Sequence, residues 1–354
     1  MERHSFAGIE RKVHPLCGDY LNGVFDNREK TDPYDEIIIS EIIEVYRENH
    51  DKAALASGEW TWIQNNKQRA YKQLLMEGNK EALISMFRNF FRNQISYGIS
   101  APDSEDAETA QKLVNDTLLD IDTWIEFCPG LPISELNSLP VGNPFGVVMG
   151  GTLVMYNSCR HYYHAAKLKA LTQVIEHPVI FEIGAGYGGV YYFLSQIMKK
   201  GFCYIVCDLM ETLFTNFYYT RKWTHSAGKN LRIKWAIDGI ITTQDIADYN
   251  LILVPSVSHG SIRAGFDAAY NANSFSEMAY GDISGYFDTI DQNKAKYIFH
   301  QNSNYSLWNT SSRGHIEILA QDFPIPSEYS LVYQAVSPWT GAGGRYREYL
   351  YERK

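Results

Sequence analysis

The residues best placed to do chemistry lie in one short run, FEIGAGYGG at 181–189. An apolar stretch carrying Glu182 leads into Gly184, Gly186 and Gly189, the spacing G-x-G-x-x-G. That pattern reads as a strand end, a tight turn and a helix start, where the backbone can approach a ligand because no Cβ intervenes. Asp208 stands about 20 residues further on, at the end of the next strand-like run, where a carboxylate accepts from ribose hydroxyls. Together they predict a nucleoside-cofactor site built from Glu182, Gly184, Ala185, Gly186, Tyr187, Gly188, Asp208 and Leu209. NAD and S-adenosyl-L-methionine (SAM) both carry an adenosine, and charge separates them. A dinucleotide lays an anionic pyrophosphate over the turn, at the amino end of a helix. Glu182 opposes that anion but suits the ammonium and sulfonium of SAM.

Methyl transfer from a sulfonium to a hydroxyl is an in-line displacement that needs alignment, exclusion of water, and a base or metal for the hydroxyl. Ligands of open parallel sheets bind beyond the carboxyl ends of the strands, so candidates should follow strands. His300, near the end of AKYIFHQ (295–301), is one candidate base, because imidazole titrates near neutral pH; a hydrogen-bonded core histidine is the alternative. Glu277 is the other candidate, or it completes a capping box with Ser274. Asn271 and Asn273 are expected to orient the cofactor's amino-acid end or a sugar hydroxyl, or to form Asx turns. His161 and His164, on a helix before the glycine run, either wall the pocket or pack beneath it. No compact ligand motif predicts a metal; Glu277, His300 and Asp267 form the one conceivable set. The adenine contact is open between Asp238 and the Pro255–Ser256 turn.

These residues need a scaffold. Residues 1–32 read as a polar arm, and helical apolar spacing follows in 33–49, 59–78, 79–98 and 104–130. The Pro- and Gly-rich stretch 129–151 reads as an ordered loop and a junction, and 152–177 as one further helix. From Pro178 the period changes. Strands are expected at 179–183, 202–209, 231–237, 250–256, 266–271 and 295–301, with helices at 188–200, 211–223 and 276–293. EYSLVYQAV and RYREYLYERK close the chain as two strands without an intervening helix. Alternation implies an α/β fold with a mostly parallel sheet, and the last pair an antiparallel hairpin. The division expected is 1–150, a helical region that covers the cleft or dimerises, and 151–354, the cofactor-binding domain.

Composition bounds the partners. The chain has 354 residues, a formal charge of −9 and no Lys/Arg stripe, so a nucleic-acid partner is disfavoured. Apolar runs are far too short for a membrane span, and MERHSFAGIERKVHP has no secretory apolar core. Cys17, Cys128, Cys159, Cys203 and Cys207 form no C-x-x-C pair and read as reduced thiols of a cytoplasmic protein.

The spacing of Glu182, Gly184, Gly186 and Gly188 resembles motif I of class I SAM-dependent methyltransferases, whose sheet also ends in a hairpin. Further segments, CDLMETL (207–213) and FDAAYNANSFSEM (266–278), are similar to the bacterial sugar O-methyltransferase family, with weaker echoes in FRNFFRN (87–93) and VGNP (141–144). The resemblance covers roughly residues 60–305. It implies a Rossmann-like methyltransferase sheet and methyl transfer from SAM to a hydroxyl of a sugar or glycosylated small molecule. Two departures stand out. Met210 replaces a proline common after the Asp-Leu pair, and 225–262 is long and holds two candidates for the third strand. The competing readings are an NAD-dependent oxidoreductase and a SAM-fold binding protein without turnover.

Overall fold

The computed structural model describes residues 11–13, 32–52, 57–96, 107–304, 317–339 and 345–354. Cys17, most of the predicted arm and most of the final glycine-rich loop lie outside the described residues; within the arm, Arg11–Val13 is a strand.

Helix α1 (Pro33–Asn49) starts where Pro33 fixes φ and Asp32 caps it, accepting from Tyr34 N at 2.9 Å. The helix expected over 59–78 is two, α2 (Glu59–Asn66) and α3 (Arg69–Glu77). The break falls where the amides of Lys67 and Gln68 both turn back to Ile63 O. Helices α4 (Lys80–Arg88) and α5 (Ala107–Phe127) complete the region.

The helix expected over 152–177 begins late. Strands β1 (Arg11–Val13), β2 (Gly146–Met149) and β3 (Thr152–Met155) form a small antiparallel sheet, and α6 covers Ser158–Thr172. Gly150 and Gly151, at φ +53° and +80°, supply the positive φ that a two-residue hairpin turn demands, and this reverses the chain between β2 and β3.

The main sheet has β4 (Val179–Ile183), β5 (Cys203–Asp208), β6 (Ile233–Trp235), β7 (Leu251–Pro255), β8 (Ala268–Ala272), β9 (Tyr297–Ser303), β10 (Tyr329–Val336) and β11 (Tyr346–Arg353). Its order is β10-β11-β9-β8-β4-β5-β7-β6. All pairs are parallel except β11, which runs against both β9 and β10. Both third-strand candidates are used: β7 pairs with β5, and β6 adds an outer edge. Helices α7 (Gly189–Ile197), α8 (Met210–Ser226), α9 (Thr243–Asp248) and α10 (Tyr280–Gln292) connect the strands. A doubly wound, mostly parallel sheet with one reversed strand next to its edge is an open α/β fold, as expected from the alternation of strands and helices.

Alternation along the strands divides the core. One cluster joins Ile38, Ile42, Phe87 and Phe90 of the helical region to Tyr191, Tyr204 and Tyr218 on one side of the sheet. A second holds Phe181, Ile205, Ile252 and Ile283 on the other side. The helical region is therefore continuous with the sheet core, and it is pinned there by buried Asp35. That carboxylate pairs with Arg88 at 2.7 Å and Lys222 at 2.7 Å, and accepts from Tyr218 Oη at 2.9 Å. No helix among the described residues is long and apolar enough to cross a membrane.

Candidate active site

A cavity of about 380 Å³ opens beyond the carboxyl ends of β4, β5, β7 and β8. That is where the topology reverses direction, the usual ligand crevice of such sheets. Its floor is the glycine turn. Gly184 has φ +71°, its N–H donates to Cys207 O at 2.9 Å, and a Cβ there would stand 2.1 Å from Ser274 Oγ. Gly186 has φ +57° and donates to Asp208 Oδ2 at 3.0 Å. Ala185, Tyr187 and Leu209 line the wall. Gly188, at φ +89°, starts α7; it faces Asn216 and does not line the cavity.

Three carboxyls share this space. Glu182 is 3 % exposed and accepts from Tyr204 Oη at 2.8 Å. Burial, with the nearby Asp208 carboxylate adding to it, pushes its pKa to about 8 against the Tyr204 hydrogen bond. Burial raises Asp208 to about 7 although the amides of Gly186 and Leu209 favour its charged form. Glu277 rises to about 7, again through burial, opposed by Trp60, whose Nε1 donates to its Oε2 at 2.9 Å. The cleft therefore stores protons near neutral pH and gains negative charge when a cation displaces them.

The start of helix α2 lines one side of the cavity. Trp60 and Ser57 reach it from the helical region, and Ser57 Oγ donates to Asp282 while accepting from Ala279 N at 3.1 Å. The capping-box reading of Glu277 lapses, because Ser274 Oγ is taken by Asn271 Nδ2 at 2.6 Å and Glu277 turns to Trp60. Beyond the end of β7, Ser256 and Val257 line the cavity, whereas Asp238 closes its own turn by accepting from Ile240 N at 3.0 Å.

Other candidates lie elsewhere. His300 is fully buried inside β9, which runs two residues beyond the expected strand end. Its ring stacks on Tyr349 at 4.9 Å and on Tyr351 at 5.9 Å, on the face away from α6, and burial lowers its pKa to about 3. It does not line the cavity, which removes it as the base. Asn271 is a brace: its Nδ2 donates to Ile183 O at 2.9 Å and its Oδ1 accepts from Asn302 at 2.9 Å. It holds the turn while Ala272 and Asn273 line the cavity. His164 is buried between Tyr270 and Gln301, whereas His161 lines the cavity and meets Tyr187 Oη through Nδ1 at 3.0 Å. Asp267 accepts from Val179 N at 2.8 Å, at the opposite end of the strands. No His/Cys/Asp/Glu cluster among the described residues is fit to hold a metal.

Sequence reasoning missed Trp60, Tyr204 and Arg160. Nothing in the sequence flags Trp60 or Tyr204, which reach Glu277 and Glu182 only through tertiary packing. Arg160 did leave a signal: a cation in the first turn of a helix, where the dipole favours acids.

No protein-family model matches the chain, and no curated sequence relative matches it. Solved structures do. Magnesium protoporphyrin IX methyltransferase (ChlM) from Synechocystis PCC 6803, with bound SAH, is 10% identical over 56% of this chain and 84% of its own, at a TM-score of 0.38. PH0226 protein from Pyrococcus horikoshii OT3 is 9% identical over 65% and 99%, with a TM-score of 0.38. TrmN from Thermus thermophilus is 11% identical over 55% and 49%, with a TM-score of 0.34. Likeness at this level transfers no function; the strand order above carries the fold.

Proposed function

We propose that this chain is a SAM-dependent methyltransferase that methylates a hydroxyl of a sugar or glycosylated small molecule. The observation that carries the cofactor is Glu182, a buried carboxyl beside the glycine turn, backed by Asp208 and Glu277 in the same cavity. Three clustered acids give a pyrophosphate no counter-charge and ionise beside a cationic ligand. The residues fit SAM: Gly184 and Gly186 leave room at the backbone, Asp208 stands by for ribose, and Ser256 and Val257 edge the adenine side. Bound there, SAM supplies a methyl group activated by its sulfonium.

The chain's own part is binding, positioning and proton transfer. Glu182 holds positive charge at the turn, oriented by Tyr204. Glu277 faces the cavity with a pKa of about 7, so half of it is ionised near neutral pH and ready to take a hydroxyl proton. Trp60 fixes one carboxylate oxygen through Nε1 and adds an apolar face to the cavity wall beside it. The hydroxyl acceptor is supported by this carboxylate, and the sugar class by the resemblance at 266–278. Cys128, Cys159, Cys203 and Cys207 are all free, in keeping with a reducing, cytoplasmic setting.

Calorimetric titration tests the cofactor. SAM and S-adenosylhomocysteine (SAH) should bind and NADH should not; failure of both sulfur nucleosides to bind overturns the proposal. Transfer of labelled methyl to a panel of hydroxylated sugars tests the acceptor.

A further inference from the structure

Arg160 is the one Lys or Arg among the residues that line the cavity, and the reading above leaves it unused. It is the third residue of α6, so the helix dipole opposes its charge. It takes part in no ion pair and no hydrogen bond of its side chain with the described residues, and its Nε is shielded from solvent without an acceptor. Asp120 feels its field, yet burial still raises that carboxyl to about 6 and no ion pair forms. On the cavity side its neighbours are neutral: burial keeps His161 uncharged and raises the Tyr187 and Tyr270 hydroxyls. Asn157, the residue that starts α6, offers no side-chain cap to the first-turn amides. A guanidinium with its Nε shielded and no ion pair gains free energy from a ligand carboxylate that pairs with it.

We infer that Arg160 is the receptor for a carboxylate inside this cavity, and that the carboxylate belongs to the amino-acid end of SAM. The inference rests on the cofactor reading and on charge. SAM brings two positive centres and one negative. Glu182, Asp208, Glu277 and Asp282 face the cavity as acids, and Arg160 alone faces it as a cation. The planar guanidinium fork matches a carboxylate with two parallel N–H donors.

The test compares SAH with 5′-methylthioadenosine, which keeps the nucleoside and lacks the amino-acid end. Both are titrated calorimetrically into the wild type, Arg160→Gln and Arg160→Lys. Arg160→Gln should weaken SAH roughly 10- to 100-fold and leave 5′-methylthioadenosine within about twofold, while Arg160→Lys recovers part of the loss. The unchanged 5′-methylthioadenosine affinity shows that the variant is folded and its pocket intact. A second arm asks whether the carboxylate is the acceptor's: D-glucuronate against D-glucose, titrated into SAH-loaded protein. Unchanged SAH affinity with a glucuronate preference that Arg160→Gln removes keeps the carboxylate receptor and reassigns its ligand to the acceptor. Unchanged affinity for every probe, or equal loss for SAH and 5′-methylthioadenosine, overturns the inference. A wild type that binds neither nucleoside overturns the cofactor reading instead, and this subsite with it.

Discussion

Replacing Glu182 by Gln tests the electrostatic core of the site without any substrate. The amide keeps the shape of a protonated carboxyl and can still accept from Tyr204, so at acid pH the two proteins should be equally stable. The folded carboxyl has a pKa of about 8 against its ordinary 4.5. Its pKa is raised by folding, so its contribution is complete below about pH 4.5 and is lost as pH rises through about 8. At about 1.4 kcal/mol for each pH unit of that interval, the ceiling is about 5 kcal/mol. Between pH 5 and pH 9 the wild type should lose about 4 kcal/mol relative to Glu182→Gln. Urea unfolding of both proteins at pH 5, 7 and 9, without ligand, measures this. The variant should become the more stable protein above neutrality and bind SAM more weakly, since the carboxylate that meets the cation is gone. Parallel pH dependences for the two proteins would refute the argument that a buried proton sits at Glu182.

Four further outcomes follow from the same geometry. Glu277→Gln should lower kcat by roughly 10²- to 10⁴-fold and abolish the rise of activity with pH centred near 7, with SAH affinity retained; a preserved pH profile would dismiss it as the base. Trp60→Phe removes a bond that favours the Glu277 carboxylate, so the activity midpoint should move above 7; a downward move contradicts the assignment. Gly184→Ala should cost about 1–3 kcal/mol in stability and abolish detectable SAH binding, because its Cβ meets Ser274 Oγ at 2.1 Å with φ at +71°; tight SAH binding by the variant would count against the turn. His300→Ala should lose about 2–4 kcal/mol of stability yet keep SAH affinity, because the ring packs on Tyr349 away from the cavity; a fully stable variant without turnover would reverse that.

The glycine turn was readable in the sequence because positive φ and close backbone approach restrict the residue type so strongly at Gly184 and Gly186. Asp208 was readable because strand, turn and acid recur at fixed spacing. His300 was misplaced because strand length decides burial: with β9 extending to Ser303, the histidine pairs with Tyr349 of β11 instead of ending at the crevice. The start of α6 was misread because TLVM can be strand or helix, and only the Gly150–Gly151 hairpin settles it. Trp60 was invisible because its partner is 217 residues away.

That distance has a consequence for how the protein is made. A ribosome has released the helices of the N-terminal region long before Glu277 exists, and the partners Tyr163 and Glu348 are 185 residues apart in their turn. Ile38 and Leu350 belong to one buried cluster. The first half of the nascent chain thus carries apolar helix faces that wait for strands not yet translated, a high-contact-order plan that folds slowly and exposes sticky surface meanwhile. The pocket cannot be completed before Glu277 and Tyr286 are translated, and shortening the protein from either end should cost it solubility before it costs it any single catalytic group.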